Sequence, residues 1–434
     1  MGRPNAPPRP GGASIEPLGM KDTPLLKFES NWMMQYQWPI TTVQIYEGDA
    51  NAAAEFLRGR LAEVARLNPW MGGKLIKDPK RHGKLIALRY NPGGEESPPP
   101  VDEMFEFVVD DAKGFEVGPY EELAEALKAS EACVPNGNGL IKSGRPVCKL
   151  TVSPRKDEKG GFAVIFSMSH TVADGHTYYA ILNMLSSAAV PFAMKAERDE
   201  KFQDGMPRQI GEEFYEAMLN PGLPMMVHYL GIWAKAKRVK PLCFFIDEDK
   251  LKAAKESAAG AGAEGEEPAP YVSTNDIVTS GFGRAVNARM LTMAINFRGR
   301  MDGLTAERAG NYHSGLIWGP DGYATPNKIR RALDGPPPLS RGSLPGGCCV
   351  TGNWTAMISN WSSLSRGHLD IPGCAQTLHL PYLNTKEMME DSCFVFKARP
   401  GEVAVMLFLQ NATLADVKKE LPLGEPVSPE IFGC

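Results

Sequence analysis

Apolar spacing divides the chain into alternating strands and helices. Trp38 to Tyr46 is β-prone and predicts a strand. Asn51 then offers a cap for a helix in which Leu57, Leu61 and Val64 follow the i, i+4, i+7 spacing of one buried face, and Asn68-Pro69 ends it. Lys84 to Tyr90 predicts a second strand, and Pro92 to Pro100 a loop. Val147 to Val152 and Phe162 to Ser167 predict two strands joined by the polar turn Lys156 to Gly161. Phe162 to Phe166 is apolar throughout, as in a central strand covered on both faces. A helix is expected from about Gly175, with Tyr178, Tyr179, Ile181, Leu182 and Leu185 as its apolar positions.

Residues 190–245 hold no strong period until Cys243 to Ile246 and read as a crossover. Ala253 to Pro270 is rich in Ala, Gly, Glu and Pro and reads as a loop. It contains Gly260-x-Gly262-x-x-Gly265, but with no strand before it and no helix after it the context for a phosphate cradle is missing. Beyond it, Ser273 or Thr274 can cap a helix to about Ala288. Leu291 to Phe297 and Ser314 to Trp318 predict strands, and Thr325-Pro326 starts a short helix. Phe394 to Lys397 and Val403 to Leu409 predict a hairpin around Arg399-Pro400-Gly401, and Asn411 or Thr413 starts a terminal helix. Strands and helices alternate in both halves, so the expected fold class is α/β, with two mixed α/β domains. The expected division is a disordered segment at 1–20, an N-terminal domain at 21–195, a crossover at 196–245 and a C-terminal domain at 246–434.

Composition narrows the functional classes. The 434 residues are 43% hydrophobic and 23% charged, enough for large cores. With a net charge of −4 and no dense basic run, a nucleic-acid partner is not expected. The nearest basic stretch, Lys235 to Lys240, reads as a solvated linker face. No apolar stretch has the length of a membrane span, so no membrane partner is expected. Residues 1–12 lack the pattern of a signal peptide, and Ala6 stands where a myristoylation site wants Ser or Thr. The eight cysteines show no C-x-x-C, and Cys348 and Cys349 are adjacent, which suits reduced thiols in the cytoplasm. Without a secretory signal the sequons at Asn353, Asn360 and Asn411 carry little weight. His82, His228, His313, His368 and His379 show no ligand spacing, so no metal is expected.

The most informative segment is Ser167-Met168-Ser169-His170-Thr171-Val172-Ala173-Asp174-Gly175-His176. It places a histidine just after a buried strand and an Asp-Gly just before a helix. Ligand sites in α/β proteins lie at the carboxyl ends of strands, and a histidine titrates near neutrality, as a general base must. The plainer readings are that His170 is a satisfied polar group and that Asp174 is a helix cap.

With this H-x-x-x-D-G segment the chain resembles the BAHD acyltransferases, within the wider chloramphenicol-acetyltransferase-like group that includes peptide-synthetase condensation domains. Further segments carry the resemblance in the family's order. Asn68-Pro69-Trp70-Met71-Gly72-Gly73-Lys74-Leu75 looks like its early P-x-x-A-G-R-L, and Asn296-Phe297-Arg298-Gly299-Arg300 its D/N-x-R-x-R. Gly310-Asn311-Tyr312 resembles its G-N, and Ile358-Ser359-Asn360-Trp361 its T/S-S-W. The chain departs from the family at D-F-G-W-G, where it has Leu369-Asp370-Ile371-Pro372-Gly373-Cys374. In the family that motif is structural.

The resemblance implies two domains with a solvent channel between them and His170 at its middle. It implies acyl transfer from acyl-coenzyme A, a cosubstrate, to a hydroxyl or amine of a small-molecule acceptor, with no permanently bound cofactor and a monomeric enzyme. His170 would take the acceptor's proton. Asp174 would turn away from the imidazole and pair with an arginine, Arg298 first and Arg300 second, and Gly175 would permit a close approach or an unusual dihedral. His176 is expected to face away. Ser359 is the candidate hydroxyl near the oxyanion and Trp361 a channel wall, against a strand-end serine and a core tryptophan. Ser273 and Thr274 position coenzyme A or simply cap a helix. Met225 and Met226 fill the core or line the channel. The competing readings are a carrier-protein-dependent condensing enzyme and a non-catalytic small-molecule binder on the same fold.

Overall fold

The computed structural model describes residues 19–93, 98–109, 114–156, 160–220, 222–260, 269–344, 354–366, 368–386 and 388–433. Most of the segment expected to be disordered, 1–18, lies outside them, as do Asn353, Cys348, Cys349, Gly262, Gly265 and Cys434.

Two large sheets organise the chain. One has five strands, in the order Ala375–Tyr382, Ile40–Glu47, Phe162–Met168, Cys148–Pro154, Phe105–Phe107. The other has seven, in the order His313–Trp318, Met290–Asn296, Thr355–Asn360, Asp391–Arg399, Glu402–Phe408, Leu242–Ile246, Leu423–Pro426. A small antiparallel sheet joins Lys21–Pro24, Ile86–Tyr90 and Lys74–Lys77.

Period-two alternation sets the layers. On strand Phe162–Met168, Phe162, Val164, Phe166 and Met168 join a core with Leu57, Leu61 and Val64 of helix Ala50–Leu67 and Tyr178, Ile181 and Leu182 of helix Gly175–Met184. Ala163 and Ile165 point the other way. They meet Phe394, Phe396, Ala404, Met406 and Phe408 of the larger sheet in a second core shared by both sheets. The opposite faces of those same strands, through Cys393, Val395, Val405 and Leu407, pack under helices Thr274–Val286 and Pro326–Asp334. The result is helix, sheet, sheet and helix in layers, with two mixed α/β bodies meeting face to face.

Several elements differ from the sequence reading. Asp49 rather than Asn51 caps Ala50–Leu67: its carboxylate accepts from the Asn51 amide at 2.8 Å. Residues 190–245 contain three helices, Lys201–Ile210, Glu212–Leu219 and Leu223–Lys235. Their apolar positions are split among short segments, which blurs any long period. Ala253 to Gly260 completes helix Glu248–Gly260, since alanine's helix propensity outweighs the low-complexity composition. The last predicted helix is capped by Thr413 with Asp416 in a reciprocal box, and strand Leu423–Pro426 and a short helix follow it. Strand Ala375–Tyr382, from the second half of the sequence, pairs antiparallel with Ile40–Glu47 and enters the sheet of the first half.

Candidate active site

His170 emerges where strand Phe162–Met168 ends. It lies on the wall of a cavity of about 820 Å³ between the two sheets. The strand is buried along its whole length, so this end is firmly held. The neighbouring Asn311 fixes the imidazole. The Asn311 Nδ2 donates to the His170 carbonyl at 2.8 Å and to Glu29 Oε1 at 3.1 Å. Both partners only accept, so the amide's orientation is determined. Its Oδ1 therefore faces His170 Nδ1, at 3.2 Å, and Nδ1 must carry the proton. That leaves Nε2 as the basic nitrogen, with no partner among the described residues. Burial lowers the His170 pKa below the ordinary 6.5, so the ring is neutral at pH 7.

Asn311 is held in turn. Glu29 accepts from the Asn311 backbone amide at 2.9 Å and from Arg198 Nε at 2.8 and 3.1 Å. Arg198 also donates to the carbonyls of Ala196, Ala309 and Val172. Arg198, Glu29, Asn311 and His170 thus form one buried chain of hydrogen bonds, charge-assisted as far as Asn311.

Asp174 belongs to a separate network. One carboxylate oxygen caps helix Gly175–Met184 by accepting from the Thr177 amide at 2.9 Å. The other accepts from Arg298 Nη1 at 2.6 Å and from the Tyr312 amide at 3.0 Å. Burial alone would raise the Asp174 pKa, but the Arg298 charge outweighs it and holds the carboxyl well below the usual carboxylate range. Arg298 is as deeply buried as its partner and also donates to Thr177 Oγ1 and to the Gly310 and Arg308 carbonyls. This clamp fixes the loop that leads into Asn311. No hydrogen bond joins Asp174 to His170, so the two form no dyad. Arg300 instead reaches the Leu333 carbonyl at 3.2 Å. Gly175 is a close approach and not an unusual dihedral: an added Cβ would lie 3.1 Å from Leu364 Cδ1.

The remaining candidates are distributed around the cavity. Ser359, near the end of strand Thr355–Asn360, lines it. Its Oγ accepts from Trp361 Nε1 at 2.8 Å, and its own proton has no acceptor among the described residues. Trp361 is a wall residue, set edge-on against Tyr179 and Phe394. Ser273 and Thr274 lie at the start of helix Thr274–Val286 and line the same cavity. The Ser273 hydroxyl donates to Asp276 Oδ2 at 2.8 Å and accepts from the Asp276 amide and from Arg330. The hydroxyl's donor and acceptor positions are all used within the cap. The His176 ring binds the Ala306 carbonyl through Nε2 at 2.9 Å. Met225 is buried and Met226 exposed, and neither lines the cavity. Among the described residues no group of three His, Cys, Asp or Glu side chains could hold a metal ion, and no helix is long and apolar enough to cross a membrane.

Residue-by-residue sequence reading missed His313. Its ring centroid lies 5.4 Å from that of His170, and it lines the cavity. Burial, and then the neighbouring His170, push its pKa down to about 4, so it too is neutral at pH 7. Glu29 and Arg198 were also missed.

No protein-family model and no curated protein sequence matches the chain. Solved structures do. TRI101 of F. graminearum, complexed with coenzyme A and T-2 mycotoxin, aligns with a TM-score of 0.58 at 14% identity, over 92% of this chain and 96% of that one. Vinorine synthase aligns with a TM-score of 0.58 at 14% identity, over 95% and 96%. The fold is the chloramphenicol-acetyltransferase-like one. The first condensation domain of the CDA synthetase shares it, with a TM-score of 0.52 at 13% identity over 92% and 93% of the two chains. With 92–95% of this chain covered, the shared fold takes in both of its halves.

Proposed function

We propose that the protein transfers an acyl group from acyl-coenzyme A to a hydroxyl or amine acceptor, with His170 as general base. The observation that carries this reading is the hydrogen bonding of Asn311, which holds the proton on Nδ1 and leaves Nε2 as the basic atom of a ring that lines the cavity. In the reaction the acceptor O–H or N–H gives its proton to Nε2 as its oxygen or nitrogen attacks the thioester carbonyl. The tetrahedral oxyanion takes a hydrogen bond from Ser359, whose proton is not otherwise used. As the C–S bond breaks, the imidazolium returns the proton to the departing thiolate, giving coenzyme A and the acylated acceptor. Asp174 and Arg298 keep the loop in shape. Trp361 would bound the acyl or acceptor side, and Thr274, which also lines the cavity, would help to position coenzyme A. Neighbours of the same fold solved with coenzyme A support the choice of donor.

The test is thiol release from a panel of acyl-coenzyme A thioesters in the presence of mixed alcohol and amine acceptors. Acceptor-dependent release supports the reading. Binding without release favours a non-catalytic binder, and turnover of only carrier-protein thioesters favours a condensing enzyme.

Two further outcomes are expected in that assay. The acid limb of the kcat/KM profile should lie below pH 6.5, because burial lowers the His170 pKa and only the neutral ring can accept a proton. Activity is then present above that pKa and lost as pH falls through it; a limb well above 6.5 would assign it to another group. Ser359→Ala should lower kcat about 10²-fold with little change in KM, as loss of one oxyanion donor does. An unchanged kcat would return Ser359 to the structural role of supporting Trp361.

A further inference from the structure

Helix Leu223–Lys235 turns its apolar stripe outward. Leu223, Met226, Val227, Leu230 and Trp233 follow helical spacing along one face, and Leu223 is 74%, Leu230 60% and Trp233 69% exposed. The inward positions include Met225 and His228, which are buried. A surface helix of a soluble domain normally shows the reverse arrangement. No charged residue interrupts the helix before Lys235. At its end and just beyond, Lys235, Lys237, Arg238 and Lys240 are all exposed.

We propose that this helix seats the protein on an anionic phospholipid surface. The helix is about 20 Å long at 1.5 Å per residue, so it lies in the plane of the interface and does not cross it. Trp233 stands beside the first lysine, where an interfacial aromatic adjoins the headgroups. The basic run supplies the complementary charge. Part of it is answered within the protein, because Arg238 and Lys240 share a surface depression with Glu121, Glu122 and Glu125. Lys235 and Lys237 are therefore the residues left to meet lipid phosphate. This partner departs from the expectation of no membrane drawn from span length, a criterion blind to a short in-plane helix.

The seat adjoins the cavity. Gln410 Nε2 donates to the Lys237 carbonyl and to the Met388 carbonyl, both at 2.7 Å, and Met388 is a cavity wall. A membrane-seated molecule would thus hold one side of the cavity near the bilayer. If the acyl-transfer reading also holds, that favours a lipid-soluble acceptor.

The experiment is flotation of the full-length protein with phosphatidylcholine vesicles, with and without phosphatidylserine, together with its oligomeric state without lipid. Binding that needs phosphatidylserine and weakens with salt is expected. Leu230→Ser with Trp233→Ser should lower vesicle affinity at least about tenfold. Lys235→Glu with Lys237→Glu should abolish the preference for the anionic lipid. All four side chains are on the surface, so unchanged thermal unfolding confirms that the variants are folded. Three results would overturn the proposal: no flotation of the wild type, flotation indifferent to both substitutions, or a dimer dispersed by the Trp233 change. None of these readouts depends on acyl transfer.

Discussion

Replacing His170 with alanine is expected to reduce acceptor-dependent thiol release from acyl-coenzyme A by about 10²- to 10⁴-fold, the contribution of a positioned general base. The loss should appear in kcat, with the KM for the thioester nearly unchanged. The cavity walls remain, and only the atom that receives the proton is removed. Asn311→Ala offers a graded companion. It leaves the imidazole but releases the tautomer and ring orientation that Asn311 imposes through Oδ1 at 3.2 Å, so it should lose less than His170→Ala and shift the acid limb. Release that survives His170→Ala would remove this residue from the chemistry.

Arg298→Ala should strongly destabilise the protein. It leaves the Asp174 carboxylate buried without its counter-charge, at a cost of about 3–5 kcal/mol. It also strips partners from Thr177 Oγ1 and the Gly310 carbonyl. Thermal or urea unfolding reads this directly. Pairing it with Asp174→Asn should recover part of the loss, because the stranded charge is then gone. The pH dependence has a definite sign. The Asp174 pKa is depressed in the native state, so its contribution is present above the ordinary value of 3.8 and disappears as pH falls below it toward the lower native value. In Arg298→Ala that acid-labile part should be missing. A stable Arg298→Ala protein with an unchanged acid limb would show that the pair contributes little.

What was legible in the sequence follows from how local each signal is. Strand Phe162–Met168 and the helix after it could be read because an unbroken apolar run and an Asp-Gly cap are written in adjacent residues. The ordered motifs named the fold and brought Asp174 and Arg298, 124 positions apart, into one expectation. The buried chain behind His170 could not be read this way. Glu29 and Arg198 are 169 positions apart and carry no neighbouring pattern, so only the folded contact shows that they hold Asn311. His313 was visible only as a residue without metal spacing. Its position two residues beyond Asn311 was the available signal, since period-two alternation turns both to one side of the chain. The helix at Leu223–Lys235 escaped for another reason. Its apolar stripe resembles a buried one, and only its exposure shows that none of the described residues covers it.

The strand Ala375–Tyr382 has a consequence for biosynthesis. It completes the first sheet by pairing with Ile40–Glu47, a strand made far earlier in the chain. Until the ribosome has released it, the Ile40–Glu47 edge is an unpaired row of amides and carbonyls, open to any other nascent strand. The N-terminal half therefore cannot finish folding as it is made. Its completion waits until Tyr382 has been made, and a chaperone that shields this edge during translation would act where the nascent chain is most exposed to misassembly.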